Sequence, residues 1–114
     1  MIHEMSLNPD PFEKIRNGEK TIEIRLYDDK RRTIALGDII TFSMLPEKTE
    51  KIRVEVIGLS IFKSFRDLFS NFDKSKFGHN NVPNIEEQIS RLREHYTAEA
   101  ERENGVIGIH IKLI

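Results

Sequence analysis

The sequence predicts one α+β domain over 1–114, a small, mostly antiparallel β-barrel or curled sheet with peripheral helices. Three observations carry that expectation. About five short stretches alternate apolar and polar residues with a period of two, capped helical stretches interrupt them, and the middle strands follow one another through turns. The last point argues against a doubly wound βαβ fold. No repeat, low-complexity tract or linker divides the chain.

Ile2 to Leu7 reads as the first strand, with Met5 and Leu7 on one face and a stop at Asn8-Pro9, because proline donates no ladder hydrogen bond. A helix should follow. Asp10 is its expected N-cap, Pro11 its first residue, Glu13 the capping-box carboxylate and Gly18 the left-handed residue that ends it, with Phe12 and Ile15 buried. From Lys20 the period becomes two. Ile22, Ile24 and Leu26 form a dry face, and Thr21, Glu23, Arg25 and Tyr27 a polar one.

Asp28-Asp29-Lys30-Arg31-Arg32 is too charged for a core, and Leu36-Gly37-Asp38 is a turn that launches a strand from Ile39 to Leu45. After a polar connection, 46–50, another strand runs from Ile52 to about Leu59. Gly58 in it marks a bulge or a close backbone approach. Ser64, with Asp67 and the spacing of Phe65, Leu68 and Phe69, opens a short helix, and 71–83 reads as the loosest part of the chain. Asn84 and Glu87, followed by Ile89, Leu92 and Tyr96, mark the clearest helix, to which 97–104 would add a turn. Gly105 then resets the chain for a closing strand on Ile107, Ile109, Ile111 and Leu113.

At 114 residues, folding buries roughly two-thirds of the extended chain's surface, so a real core is possible. The absence of cysteine excludes disulfides, thiolate metal sites and a cysteine nucleophile. Eighteen basic and nineteen acidic residues leave a formal charge of −1, so any polyanion site must be local. No apolar run approaches the ~18 residues of a membrane span, and the N-terminus lacks a signal-peptide layout; the cytoplasm is the expected compartment. The four histidines are scattered without ligand spacing, and there is no phosphate-cradling glycine loop, so neither a metal nor another cofactor is expected. His110 shares a strand face with Gly108, where a ligand has room to approach, although a half-exposed structural histidine is the plainer reading.

Lys20, Glu23 and Arg25 form the most suggestive group. Glu23 and Arg25 are two apart on one strand face, and the flexible stem of Lys20 reaches over that face from the strand's mouth. A fork-shaped cation, a point cation and a carboxylate suit a small polar ligand, either a phosphate or a nucleobase edge. The competing reading is an exposed ion pair on the wet side of a strand. Lys30, Arg31 and Arg32 follow directly and either track phosphates into the same site or form a solvated turn balanced by Asp28 and Asp29. Tyr27 and Phe42 offer stacking surfaces, although aromatics in a small barrel usually belong to the core.

The stretch Gly18-Glu19-Lys20-Thr21-Ile22-Glu23-Ile24-Arg25 resembles the G-x-K-x-x-E-x-R signature of the ASCH domain, a member of the PUA-like superfamily. Gly37-Asp38-Ile39-Ile40-Thr41-Phe42 resembles its G-D-x-I-x-F turn-strand, and Tyr96 with Gly105-Val106-Ile107-Gly108-Ile109 its closing segment. Met5-Ser6-Leu7 with Pro11-Phe12 also fits. The resemblance implies a PUA-like barrel and a cleft beside the signature for RNA or a nucleotide; the balanced overall charge narrows the ligand to a short single-stranded RNA or a mononucleotide. One branch of the family deacylates N4-acetylcytidine, which would make Lys20 catalytic in a small amidohydrolase. That branch carries threonine where this chain has Glu23, so a hydroxyl nucleophile is missing here. Glu23 would then have to orient or deprotonate water while Lys20 or Arg25 stabilises the oxyanion. A third alternative is an adaptor that docks a protein through the acidic segment 99–103.

Overall fold

The computed structural model describes all 114 residues, Met1–Ile114. Five strands, β1 (Ile2–Leu7), β2 (Ile22–Leu26), β3 (Ile39–Met44), β4 (Lys51–Phe62) and β5 (Val106–Leu113), form one sheet in the order β1-β3-β4-β5-β2. Only β1 and β3 pair in parallel; the other three pairings are antiparallel. The sheet curls into a half-barrel whose free edges are β1 and β2. Four helices accompany it: α1 (Pro9–Arg16), α2 (Phe65–Asn71), α3 (Ile85–Leu92) and α4 (Ala98–Asn104). No helix is long and apolar enough to cross a membrane.

Two apolar clusters use the two sides of the sheet. The concave side encloses Met5, Leu7, Phe42, Val54 and Ile109 together with Phe12 and Ile15 of α1. On the other side, Ile22 and Ile24 pack with Phe65, Leu68 and Phe69 of α2, and with Phe77. β5 is therefore covered on both faces over Val106–Ile109, where no polar residue occurs, and alternates beyond it. A Cβ on Gly108 would lie 2.9 Å from Leu68 Cδ1 and 3.1 Å from Ile22 Cγ2. The room beside Gly108 is thus filled by packing and admits no ligand.

Gly58 has the role expected of it. The β4–β5 register shifts between Val56 and Gly58, and a Cβ at Gly58 would lie 3.1 Å from His110 Cγ. His110 is half-buried, bonds Ser60 Oγ at 2.8 Å and meets Phe72 edge-on, a structural histidine.

Several elements depart from expectation for identifiable reasons. Asn8, not Asp10, precedes α1, and Pro9 occupies its first turn. Pro9 and Pro11 both fit there because the first four amides of a helix have no internal acceptor to lose. No side chain caps that end, and Glu13 pairs with Arg16 instead of closing a capping box. β4 runs on to Phe62, because its far half pairs with β5 as its near half pairs with β3.

The segment 71–83 is not loose. Asp73 caps a 3-10 turn, Lys74–Phe77, and Phe77 and Val82 are buried. Lys14 Nζ donates to Gly78 O at 2.8 Å and Lys74 Nζ to Val82 O at 2.7 Å, so two ammonium groups satisfy carbonyls that a loop would leave to water. Thr97 starts α4 as a separate helix, capping it through Ala100 N, so 97–104 does not prolong α3. Glu101 of α4 is buried. It accepts from Phe65 N, at the start of α2, and from Arg93, both at 2.7 Å. The middle of the acidic segment is thus spent on internal capping, against its use as a docking surface.

Candidate functional site

β2 has no wet face. Ile22 and Ile24 lie under α2, while Glu23 and Arg25 project from the opposite side of the strand, whose partners across the ladder, Ile109 and Ile107, belong to the barrel core. Glu23 is 3 % exposed and Lys20 8 %. Lys20 Nζ lies 2.8 Å from Glu23 Oε1, and Arg25 Nε donates to Glu23 Oε2 at the same distance. Arg25 Nη2 then donates to Ser6 O at 3.1 Å, so the guanidinium bridges the gap between the edge strands β2 and β1. The exposed-pair reading fails: the three side chains converge and are buried.

Burial by itself would push the Glu23 carboxyl up; the charges and hydrogen bonds of Lys20 and Arg25 outweigh it and hold the group down at about 2. For Arg25, burial works against the charge, but the adjacent Glu23 dominates and the pKa is raised. The triad is therefore an ionised unit with one net positive charge. A carboxylate this acidic, with both oxygens engaged, is a poor general base at neutral pH.

The triad lines a cleft of about 920 Å³ over the open seam of the half-barrel. Its walls come from β1, the start of α1, the segment 77–82, α3 and the turn that ends at Tyr96. Burial pushes the Tyr96 hydroxyl up, with Arg25 opposing, and that hydroxyl bonds no protein group. His79 is held down at about 4, first by burial and then by the charges of Lys20, Lys14 and Arg91, so it is neutral at pH 7. Four cations line the cleft (Lys14, Lys20, Arg25, Arg91) and four carboxylates (Asp10, Glu23, Glu87, Glu94), which leaves no excess charge for a multiply charged ligand.

Other residues singled out in the sequence lie elsewhere. Phe42 is wholly buried in the barrel. Tyr27 packs against that core, and the Arg32 guanidinium sits 4.2 Å above its ring, covering a face that would otherwise stack on a base. Lys30 donates to Glu4 O, Arg31 pairs with Asp28 at 3.0 Å and Arg32 donates to Asn104 O. None of Tyr27, Lys30, Arg31 and Arg32 lines the cleft.

Gln88 and His79 line it without having been singled out. For Gln88 a signal existed: with Ile85, Ile89 and Leu92 it falls on the i, i+3, i+4, i+7 stripe of α3, where a polar residue is out of place. His79 offered none, because its position depends on how 71–83 folds.

An ASCH domain family model matches residues 5–114. Among solved structures, the crystal structure of hypothetical protein PH0355 is 36 % identical, with a TM-score of 0.89 over the whole of both chains. The solution NMR structure of protein PF0455 from Pyrococcus furiosus is 35 % identical, with a TM-score of 0.80 over all of this chain and 98 % of that one. No curated protein matches the chain. The half-barrel with its peripheral helices is accordingly a PUA-like fold.

Proposed function

The chain belongs to the ASCH domain family, generally thought to bind RNA, and from that premise we propose that its cleft receives one nucleotide of a short single-stranded RNA, or a free nucleotide. The observation that carries this reading is the buried, singly positive Lys20–Glu23–Arg25 unit on the cleft wall. One net positive charge matches the single negative charge of a phosphodiester and offsets about half of that on a phosphomonoester. The fork of Arg25 is held at Nε and Nη2, which leaves Nη1 without a protein partner, and the Lys20 ammonium uses one donor on Glu23.

The cleft's volume lies in the range of small-ligand sites, and its balanced lining argues against a duplex or a polyphosphate. Long RNA would need a broad basic track, and the basic residues at 30–32 are engaged by neighbours instead. Titration of a five-nucleotide single-stranded RNA at several salt concentrations tests this. A slope of log K against log salt no steeper than about −1.5 is expected, together with a weakening of at least about tenfold on Lys20→Ala. A steep slope with no effect of Lys20→Ala would refute the reading.

Hydrolysis of N4-acylated cytidine is the second reading. The enclosed ammonium of Lys20 favours it, since it could stabilise a developing oxyanion. The state of Glu23 weighs against it, because a carboxylate at about 2 takes no proton from water at pH 7. Turnover would therefore depend on Lys20. Catalytic release of cytidine from N4-acetylcytidine by the wild type, lost in Lys20→Ala, would establish it.

A further inference from the structure

Gln88 is the one buried residue of α3, and it is polar. It is 2 % exposed, yet it faces the cleft. Its Nε2 donates to His79 Nδ1 at 3.1 Å, which places the proton of the neutral imidazole on Nε2. Its Oε1 bonds no protein group and is not sealed from solvent, so the amide keeps its oxygen and a second N–H for something in the cleft.

We propose that Gln88, oriented by His79, is the base-reading residue of this cleft, its free amide oxygen and N–H taking the adjacent donor and acceptor of a nucleobase edge. The proposal rests on the reading of the cleft as a nucleotide site and adds which part of the nucleotide lies where. A phosphate offers acceptors only and would set anionic oxygen against Oε1, so it belongs on the Lys20–Arg25 side. A base edge offers a donor beside an acceptor in one plane, which matches a carboxamide; Asn and Gln read adenine in this way in nucleic-acid complexes. Beside Gln88 on the cleft wall stands the half-buried His79, whose ring is backed at 5.9 Å and 32° by the buried Phe77. All four common bases carry such an edge, so Gln88 separates a base from a bare sugar phosphate, and the remaining walls rank the bases.

The test compares the four nucleoside 5′-monophosphates with ribose 5-phosphate, which lacks a base. Wild-type protein should bind at least one nucleotide at least about tenfold more tightly than ribose 5-phosphate. Gln88→Leu should bring the two within about twofold while leaving the ribose 5-phosphate affinity unchanged. Gln88→Glu offers acceptors only and should favour guanine, whose N1–H and N2–H₂ are adjacent donors, by about tenfold over its wild-type ranking. A merely structural glutamine would not redirect base preference. Variants that keep the wild-type ratio and ranking would overturn the proposal, as would a wild type that binds nucleotides no better than ribose 5-phosphate. The latter result leaves the phosphate side of the cleft standing. Wild-type protein that binds none of the five ligands overturns the nucleotide reading itself, and this proposal with it.

Discussion

Two cationic stretches lie five residues apart, and the fold treats them oppositely. Lys20 and Arg25 share one carboxylate at the bottom of a cleft, while Lys30, Arg31 and Arg32 lie outside it, held by Glu4 O, Asp28 and Asn104 O. By density of charge the second stretch looks the better anion site. Availability depends on what each side chain already touches and on which side of the sheet it projects. Arg32 spends its guanidinium on a ring and a carbonyl, whereas Arg25 spends only part of its fork and keeps a donor free beside the cleft.

If the triad is a coupled unit, its shared partner is the most costly group to remove. Glu23→Ala should cost about 3–5 kcal/mol, because it leaves two buried cations uncompensated, and thermal unfolding should show a Tm fall of more than about 10 °C. A fall of a degree or two would mean that the triad is wetter than its burial indicates.

The same carboxylate sets an acid limb. Its pKa drops on folding from the ordinary 4.5 to about 2, so its stabilisation is complete above about 4.5 and is lost as pH falls towards 2. Glu23→Gln should flatten that part of the stability-versus-pH curve relative to wild type, as followed by urea unfolding between pH 5 and pH 2. Equal slopes in the two proteins would contradict the assignment.

Binding separates the two stretches more gently. Lys20→Ala should weaken a short single-stranded RNA at least about tenfold, against less than about threefold for Lys30→Ala, Arg31→Ala or Arg32→Ala, measured by fluorescence anisotropy at fixed salt. The smallest effect is on stability: Arg32→Ala removes an exposed cation–π contact with Tyr27 worth about 0.5 kcal/mol in chemical unfolding.

The strands were legible because their signals are local: alternation in β1, β2 and β5, and a glycine at the β4 bulge. The membership of the site was legible in part. Lys20, Glu23 and Arg25 fall within one octapeptide: spacing put Glu23 and Arg25 on one face, and the long stem of Lys20 could reach over it from the strand's mouth. That this face is enclosed was not legible, since the cover comes from 77–82, α3 and Tyr96, more than fifty residues downstream in chain order. The segment 71–83 has no period to read; its order comes from Phe77 and Val82 being buried and from Lys14 and Lys74 reaching its carbonyls. Gln88 could have been found as a polar residue on an apolar stripe.

Mapping of backbone amide shifts by NMR, as adenosine or cytidine 5′-monophosphate is added, tests most directly where the ligand sits. Perturbations should cluster at Lys20, Glu23, Arg25, His79, Gln88 and Tyr96, with Lys30, Arg31 and Arg32 unmoved. Saturable shifts confined to 30–32, with the cleft silent, would contradict it.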